Sequence, residues 1–265
     1  MKTNMKTLVM IAVLFASTMA VTSCQKENMN SDNAQYASLL DVSGDGTTSV
    51  IEANLKSAMI TTTSLTDSEL ASLLKMKEEE KLARDVYTAL NQKWNNTIFS
   101  HISAAESNHL NAIILLLTTY GGDASIGEPG IFTSTEVQTL YAKLVSDGSA
   151  AIEEAYKTGA LIEEMDINDL NQSLSSVTNA NVSLVFENLV KGSRNHLRAF
   201  NRQLTTLGIV YTPVYLSQGD YDLIVNSSME QGKQYRMNGN GQGNGKGQGQ
   251  GQKGQGNQGN GSCSN

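Results

Sequence analysis

Between Thr66 and Leu207 the chain repeats one pattern four times: a stripe of apolar residues at helical spacing, interrupted at its middle by polar side chains. The pattern is clearest over residues 99–120, where every third and fourth position reads Phe99, Ile102, Glu106, His109, Ile113, Leu116 and Tyr120. That spacing makes one face of a helix that buries itself against other helices. Glu106 and His109, three residues apart, lie one above the other on that inward face. A carboxylate buried alone is strongly unfavourable, so a partner on a facing helix, or a metal, must compensate it.

The other three stripes carry candidates for that partner. A capping box, Thr66-Asp67-Ser68-Glu69, opens a helix that runs to about Trp94 with the seam Leu73, Met76, Glu80, Ala83, Tyr87, Leu90 and Trp94. Glu79 shares a nearly equivalent face and Glu78 a poorer one; in so charged a run, at most one or two acids should point inward. A third helix from near Ser149 has the seam Ile152, Tyr156, Gly159, Glu163, Asp166, Leu170 and Leu174. A fourth, Val182 to Leu207, reads Val182, Phe186, Leu189, Ser193, His196, Phe200 and Leu204. Polar residues at the middle of all four seams are difficult to reconcile with four independent core residues.

Gly121-Gly122-Asp123 stops the second helix, and a connection reaching to about Gly148 follows, with a short helix expected over Ser134 to Ser146. A link of that length carries the chain back along the whole stack rather than making a hairpin. The expected fold is therefore all-α: a four-helix bundle with one long crossover between helices two and three.

Two of these segments also resemble a known family. Glu80-Lys-Leu-Ala83-Arg84-Asp-Val-Tyr87 resembles the first-helix ligand motif of rubrerythrins, and Ala105-Glu106-Ser-Asn-His109 their second-helix motif. More closely, Glu78 to Tyr87, Asp166-Ile-Asn-Asp-Leu170 and Gly192-Ser-Arg-Asn-His-Leu-Arg-Ala-Phe200 are similar to a ferritin-like family of bacteria and archaea known only as a domain of unknown function. The resemblance covers about residues 66 to 212 and implies a ferritin-like bundle. It implies metal ligation by Glu80, Glu106, His109, Glu163 and His196, redox chemistry with oxygen or peroxide, and Tyr87 or Tyr156 nearby as hydrogen-bond donors. Ser193 departs from the pattern, since a bridging Glu is usual there. Asp166, one turn from Glu163, restores four carboxylates and two imidazoles, a set whose charge two divalent ions would neutralise. Oxygen-rich ligands with two imidazoles favour two iron or manganese ions. The sequence has only Cys24 and Cys263, which excludes the Cys quartet of a rubredoxin module, so an electron donor would be external.

The ends read differently. Lys2, Lys6, an apolar run from Leu8 to Val21 and Val21-Thr22-Ser23-Cys24 suit a secretory signal over residues 1–23. The ending resembles a bacterial lipobox, which implies lipidation of Cys24 and a protein anchored to the membrane on the extracytoplasmic side of the envelope. Residues 24–65 read as a polar leader. Within it, Asp41, Ser43, Asp45 and Glu52, with Gly46, fall at the spacing of an EF-hand loop and are calcium candidates; the alternative is a Gly-Asp turn before a short helix from Ile51 to Met59. The bundle and a C-terminal extension are expected over 66–228, and a disordered Gly/Asn/Gln-rich tail over 229–265. His101 lies off the seam and is expected to be exposed. The formal net charge of -7 falls to -9 when Lys2 and Lys6 leave with the signal, so the folded part should repel nucleic acid. A second reading remains: an envelope-anchored scaffold whose metal site is degenerate or purely stabilising.

Overall fold

The computed structural model describes residues 36–60, 64–232 and 234–236. The signal segment, Cys24, Cys263 and most of the Gly-rich tail lie outside the described residues. Among those described, the chain is predominantly helical, with seven helices and four strands of three residues each. No described helix is long and apolar enough to cross a membrane.

Four long helices form the core: α2 (Asp67–Trp94), α3 (Thr97–Tyr120), α5 (Ile152–Leu174) and α6 (Ala180–Thr206). The capping box at the start of α2 is complete: Thr66 accepts from the Glu69 amide, and Glu69 accepts from the Thr66 amide. The second Glu69 oxygen accepts from the Thr178 and Asn179 amides at 2.8 and 2.7 Å, tying the start of α2 to the start of α6. Burial opposes ionisation of Glu69, but these backbone donors outweigh it and lower its carboxyl to about 2. Asn95, in the left-handed region at φ 47°, ends α2, and the Asn96 side chain caps α3, so two residues reverse the chain.

α3 pairs with α2, α5 with α6, and contacts of α2 with α5 and α3 with α6 close the set. The rings of Phe99 on α3 and Tyr156 on α5 stack at 5.8 Å, each about two turns ahead of the acids on its own helix. α3 and α5 therefore run in the same direction, and the segment between them must return the chain. That segment contains α4 (Thr135–Gly148), close to the short helix expected there. A buried cation holds the crossover down: Lys81 Nζ donates to Asp85 at 2.7 Å and to the carbonyls of Glu128 and Ile131, over the Phe132 ring. Asp85 also accepts from the Gly130 amide at 2.8 Å. Of the acids at 78–80 only Glu80 is fully buried, within the one or two expected to point inward, while the crossover supplies buried Lys81 and Asp85 with hydrogen-bonding partners.

The leader contains the short helix expected at its end and, before it, a hairpin that was not expected. β2 (Leu40–Val42) and β3 (Thr48–Val50) form an antiparallel hairpin, followed by α1 (Glu52–Ala58). Leu39, Leu40, Val50 and Leu55 are buried with the helical core. At the other end, α7 (Gln218–Val225) follows the extended turn after Gly208, and β4 (Gln234–Arg236) pairs with β1 (Tyr36–Ser38). The expectation that the chain loses order from 229 is corrected here. Glu230 forms a two-pronged ion pair with Arg194 at 2.6 Å on each prong and a third contact with Arg198 at 3.0 Å. Hairpin and C-terminal strap together cover the outward face of α6, where Asn195 and Arg198 are buried as well as the inward seam.

Candidate metal centre

At mid-height of the four helices the apolar core gives way to one polar layer. Glu80 comes from α2, Glu106 and His109 from α3, Glu163 and Asp166 from α5, and His196 from α6; none is more than 2% exposed. On one side of the layer lie the rings of Tyr87, Phe99, Tyr156 and Phe200. Water is excluded, so each charge must be answered locally.

Glu106 sits at the centre. Its Oε2 lies 2.7 Å from His109 Nδ1 and its Oε1 lies 2.8 Å from His196 Nδ1. Glu80 Oε2 approaches His109 Nδ1 at 3.5 Å, and Glu163 Oε2 approaches His196 Nδ1 at 3.5 Å. The two imidazoles face one another with centroids 5.4 Å apart. Short as these distances are, the Nδ1 atoms, both Glu80 oxygens, both Glu106 oxygens, Glu163 Oε2 and Asp166 Oδ2 have no hydrogen-bond partner among the described residues. Two triads result, Glu80-Glu106-His109 and Glu106-Glu163-His196, with ligand atoms within 4.8 Å of one another in each. Either triad could hold a metal ion, and the orphaned donors are the sign that the residues fit one.

Without such an ion the layer must carry protons. Burial raises Glu80 to about 8, reinforced by Glu106 and opposed by His109. Burial likewise raises Glu163 and, more strongly, Asp166, which feels Glu80, Glu163 and Glu106. Burial works against both imidazolium ions, but Glu106 overcomes it: His109 is held well above its usual range and His196 at about 9. Glu106 is held low, because the two histidines outweigh its burial.

Tyr87 donates to Glu163 Oε1 at 2.6 Å, at the edge of the layer, as expected of it. Tyr156 instead accepts from Asn96 at 2.8 Å, within the aromatic layer. Ser193 Oγ donates to the Leu189 carbonyl within its own helix at 3.2 Å and takes no part in either triad. The calcium candidates are not brought together. Asp45 is taken up by Ser43, the Thr47 amide and half-exposed His101, and Glu52 pairs with Lys56 at 2.6 Å. The segment between them is hairpin rather than helix–loop–helix, and neither group that could share an ion contains Asp41, Asp45 or Glu52.

Two buried features are invisible in the seam pattern. Glu164, beside Glu163, accepts the amides of Val214, Tyr215 and Leu216 at 2.9, 2.9 and 3.0 Å, fastening the C-terminal extension to a second face of α5. The Thr48 main chain meets His196 Nε2, with both its nitrogen and its oxygen at 3.1 Å. The one available signal was Thr48 itself, a strand former where an EF-hand carries an apolar residue.

The fold and site define a helical protein with a buried acid–imidazole layer that could bind metal. Its relatives place it more narrowly: residues 69–228 match the family described as "Uncharacterized protein domain (DUF2202)", and the chain belongs to that family. It is 42% identical over 174 residues to an uncharacterized protein, MJ0754, of Methanocaldococcus jannaschii, covering 63% of this chain and 92% of that one. The crystal structure of the hypothetical protein MJ0754 is similar with a TM-score of 0.63 at 40% identity, covering 65% of this chain and 99% of the other.

Proposed function

We propose that this chain is a ferritin-like metalloprotein whose four long helices form a bundle around two divalent ions, iron or manganese, with Glu106 shared between them. The observation that carries this reading is the pair of triads meeting at Glu106, each built of buried atoms that lack other partners. Glu80 and His109 would hold one ion, Glu163 and His196 the other, and Asp166 would supply the fourth carboxylate that Ser193 does not. Four carboxylates and two divalent ions leave the layer neutral, which suits complete burial. Bound there, such ions would supply redox chemistry toward oxygen or peroxide. The chain's own residues would orient the ligands, exclude water through the aromatic layer, and hold a proton at the Tyr87 hydroxyl against Glu163. Electrons would come from an external donor. Lipidation at Cys24 would place the protein on the extracytoplasmic face of the bacterial envelope.

Ser193 favours one competing reading, an envelope-anchored scaffold whose metal site is degenerate or only stabilises the fold. Metal content and turnover of the chain starting at Cys24 separate the two. About two equivalents of iron, lost in Glu106→Ala and accompanied by peroxide or oxygen consumption, support the enzyme. Two equivalents without turnover support a scaffold with a stabilising site, and a well-folded protein that binds no metal refutes the metalloprotein and leaves a scaffold with a degenerate site.

A further inference from the structure

The two triads mirror each other in their ligands but not in what stands behind those ligands. Behind the Glu163 and His196 side, each ligand has a partner for its far atom. Tyr87 donates to Glu163 Oε1 at 2.6 Å. His196 Nε2 lies 3.1 Å from both the nitrogen and the oxygen of Thr48. This contact follows from the hairpin register. The ladder bonds of Ser43 to Thr47 and of Ile51 to Leu39 put the odd-numbered residues in hydrogen-bonded pairs, so the polar groups of Thr48 point away from β2 toward α6. Asn195 holds the hairpin in place by donating to Thr48 Oγ1 at 2.9 Å and to the Glu230 carbonyl at 2.9 Å.

The other side has no such backing. Both oxygens of Glu80 and both nitrogens of His109 lack hydrogen-bond partners among the described residues. The outer edge of the His109 ring rests on bare helix backbone: a Cβ placed on Gly192 would fall 2.7 Å from Nε2 and 2.6 Å from Cε1. Among the described residues no acceptor meets the Nε2 proton that a histidine bound through Nδ1 must carry.

From this asymmetry we infer that the two halves of the centre are unequal, the His196 half binding its ion first and tightly and the His109 half binding second and exchangeably. The inference rests on the di-metal reading above. Outer partners fix the tautomer and orientation of a ligating imidazole and raise its basicity, and losing one costs roughly 10–100-fold in metal affinity. Residues 36–58, which provide the Thr48 contact, lie outside the 69–228 span shared with the family, so the hairpin adds to the site from beyond the common domain.

The test is an anaerobic titration of the full chain with Mn(II), reading free ion by electron paramagnetic resonance. Two steps are expected, the first at least about 10-fold tighter than the second. His109→Ala should keep the tight step and lose the weak one, and His196→Ala should lose the tight one. Tyr87→Phe, which keeps the ring and removes only the hydroxyl, should weaken the first step about 10-fold and leave the second in place. Two steps of equal affinity, a tight step that survives in His196→Ala and vanishes in His109→Ala, or no effect of Tyr87→Phe would overturn the inference while leaving the di-metal reading intact. A folded parent that takes up no Mn(II) and no Fe(II) would overturn both.

Discussion

Gly192 offers the sharpest probe of how tightly the polar layer is built. An alanine methyl there would sit 2.6 Å from His109 Cε1, whereas carbon atoms in ordinary contact stand about 3.5–4.0 Å apart. The ring would have to retreat by roughly 1 Å, because the Gly192 side is helix backbone and cannot yield. It has little room to do so, with Glu106 at 2.7 Å and the His196 ring stacked at 5.4 Å. Overpacking of this kind costs about 1–3 kcal/mol, offset by the ~0.5–1 kcal/mol that replacing a mid-helix glycine returns. Gly192→Ala should therefore be destabilised by about 0–2.5 kcal/mol in urea denaturation with chelator present. It should also lose the ion held by His109, since ligand distances are tolerated only within about 0.2 Å. A variant that is about 1 kcal/mol more stable than the parent, as helix propensity alone would give, and that still binds two equivalents would refute this packing argument.

Further outcomes follow from the same geometry. In metal-free protein Glu80 is raised to about 8 and His196 to about 9, and Glu163 and Asp166 are raised as well. The folded state then binds more protons than the unfolded chain, so stability from these groups is full below about pH 4, the ordinary carboxyl range, and is lost as pH rises toward about 9. Glu106, held low, acts in the opposite sense only at more acid pH. Melting temperature in chelator should fall between about pH 6 and 9, and a flat or rising profile would contradict the assignment. Glu164→Ala would strip three amides of their acceptor. At about 1–3 kcal/mol for a buried group left unpaired, it should lower stability and speed hydrogen exchange at residues 214–216, and unchanged exchange there would speak against the role. Arg198→Ala removes contacts to Asn195, Ser227, Glu230 and the Ile224 carbonyl. With Glu230 still paired to Arg194, it should cost about 1–3 kcal/mol by chemical denaturation, from the hydrogen bonds left unmade, and no measurable loss would show that Arg194 alone holds the strap.

The inward layer was legible because each polar residue broke an otherwise regular stripe: Glu80, Glu106, His109, Glu163, Asp166 and His196 all stand where the 3.6-residue period puts them. The crossover was legible from its length and from the Gly121-Gly122 stop. Periodicity failed where an element is covered on two faces. α5 hides Glu164 beneath the C-terminal extension and α6 hides Arg198 beneath the strap, and a single seam describes neither. The burial of Lys81 and Asp85 left no mark in the sequence, because their partners are backbone carbonyls and an amide of the crossover. The stretch from Asp41 to Glu52 carries the spacing of a calcium loop, and its turn instead closes a hairpin, unread in the sequence, whose β3 buries Thr48 and Val50.

The central claim is that the polar layer holds two ions bridged by Glu106, and anomalous scattering from crystals of the protein grown with manganese or iron tests it most directly. Two peaks about 3.5–4 Å apart, one between Glu80 and His109 and the other between Glu163 and His196, are the expected result. A well-ordered layer with no anomalous peak, or with one peak away from Glu106, would contradict it.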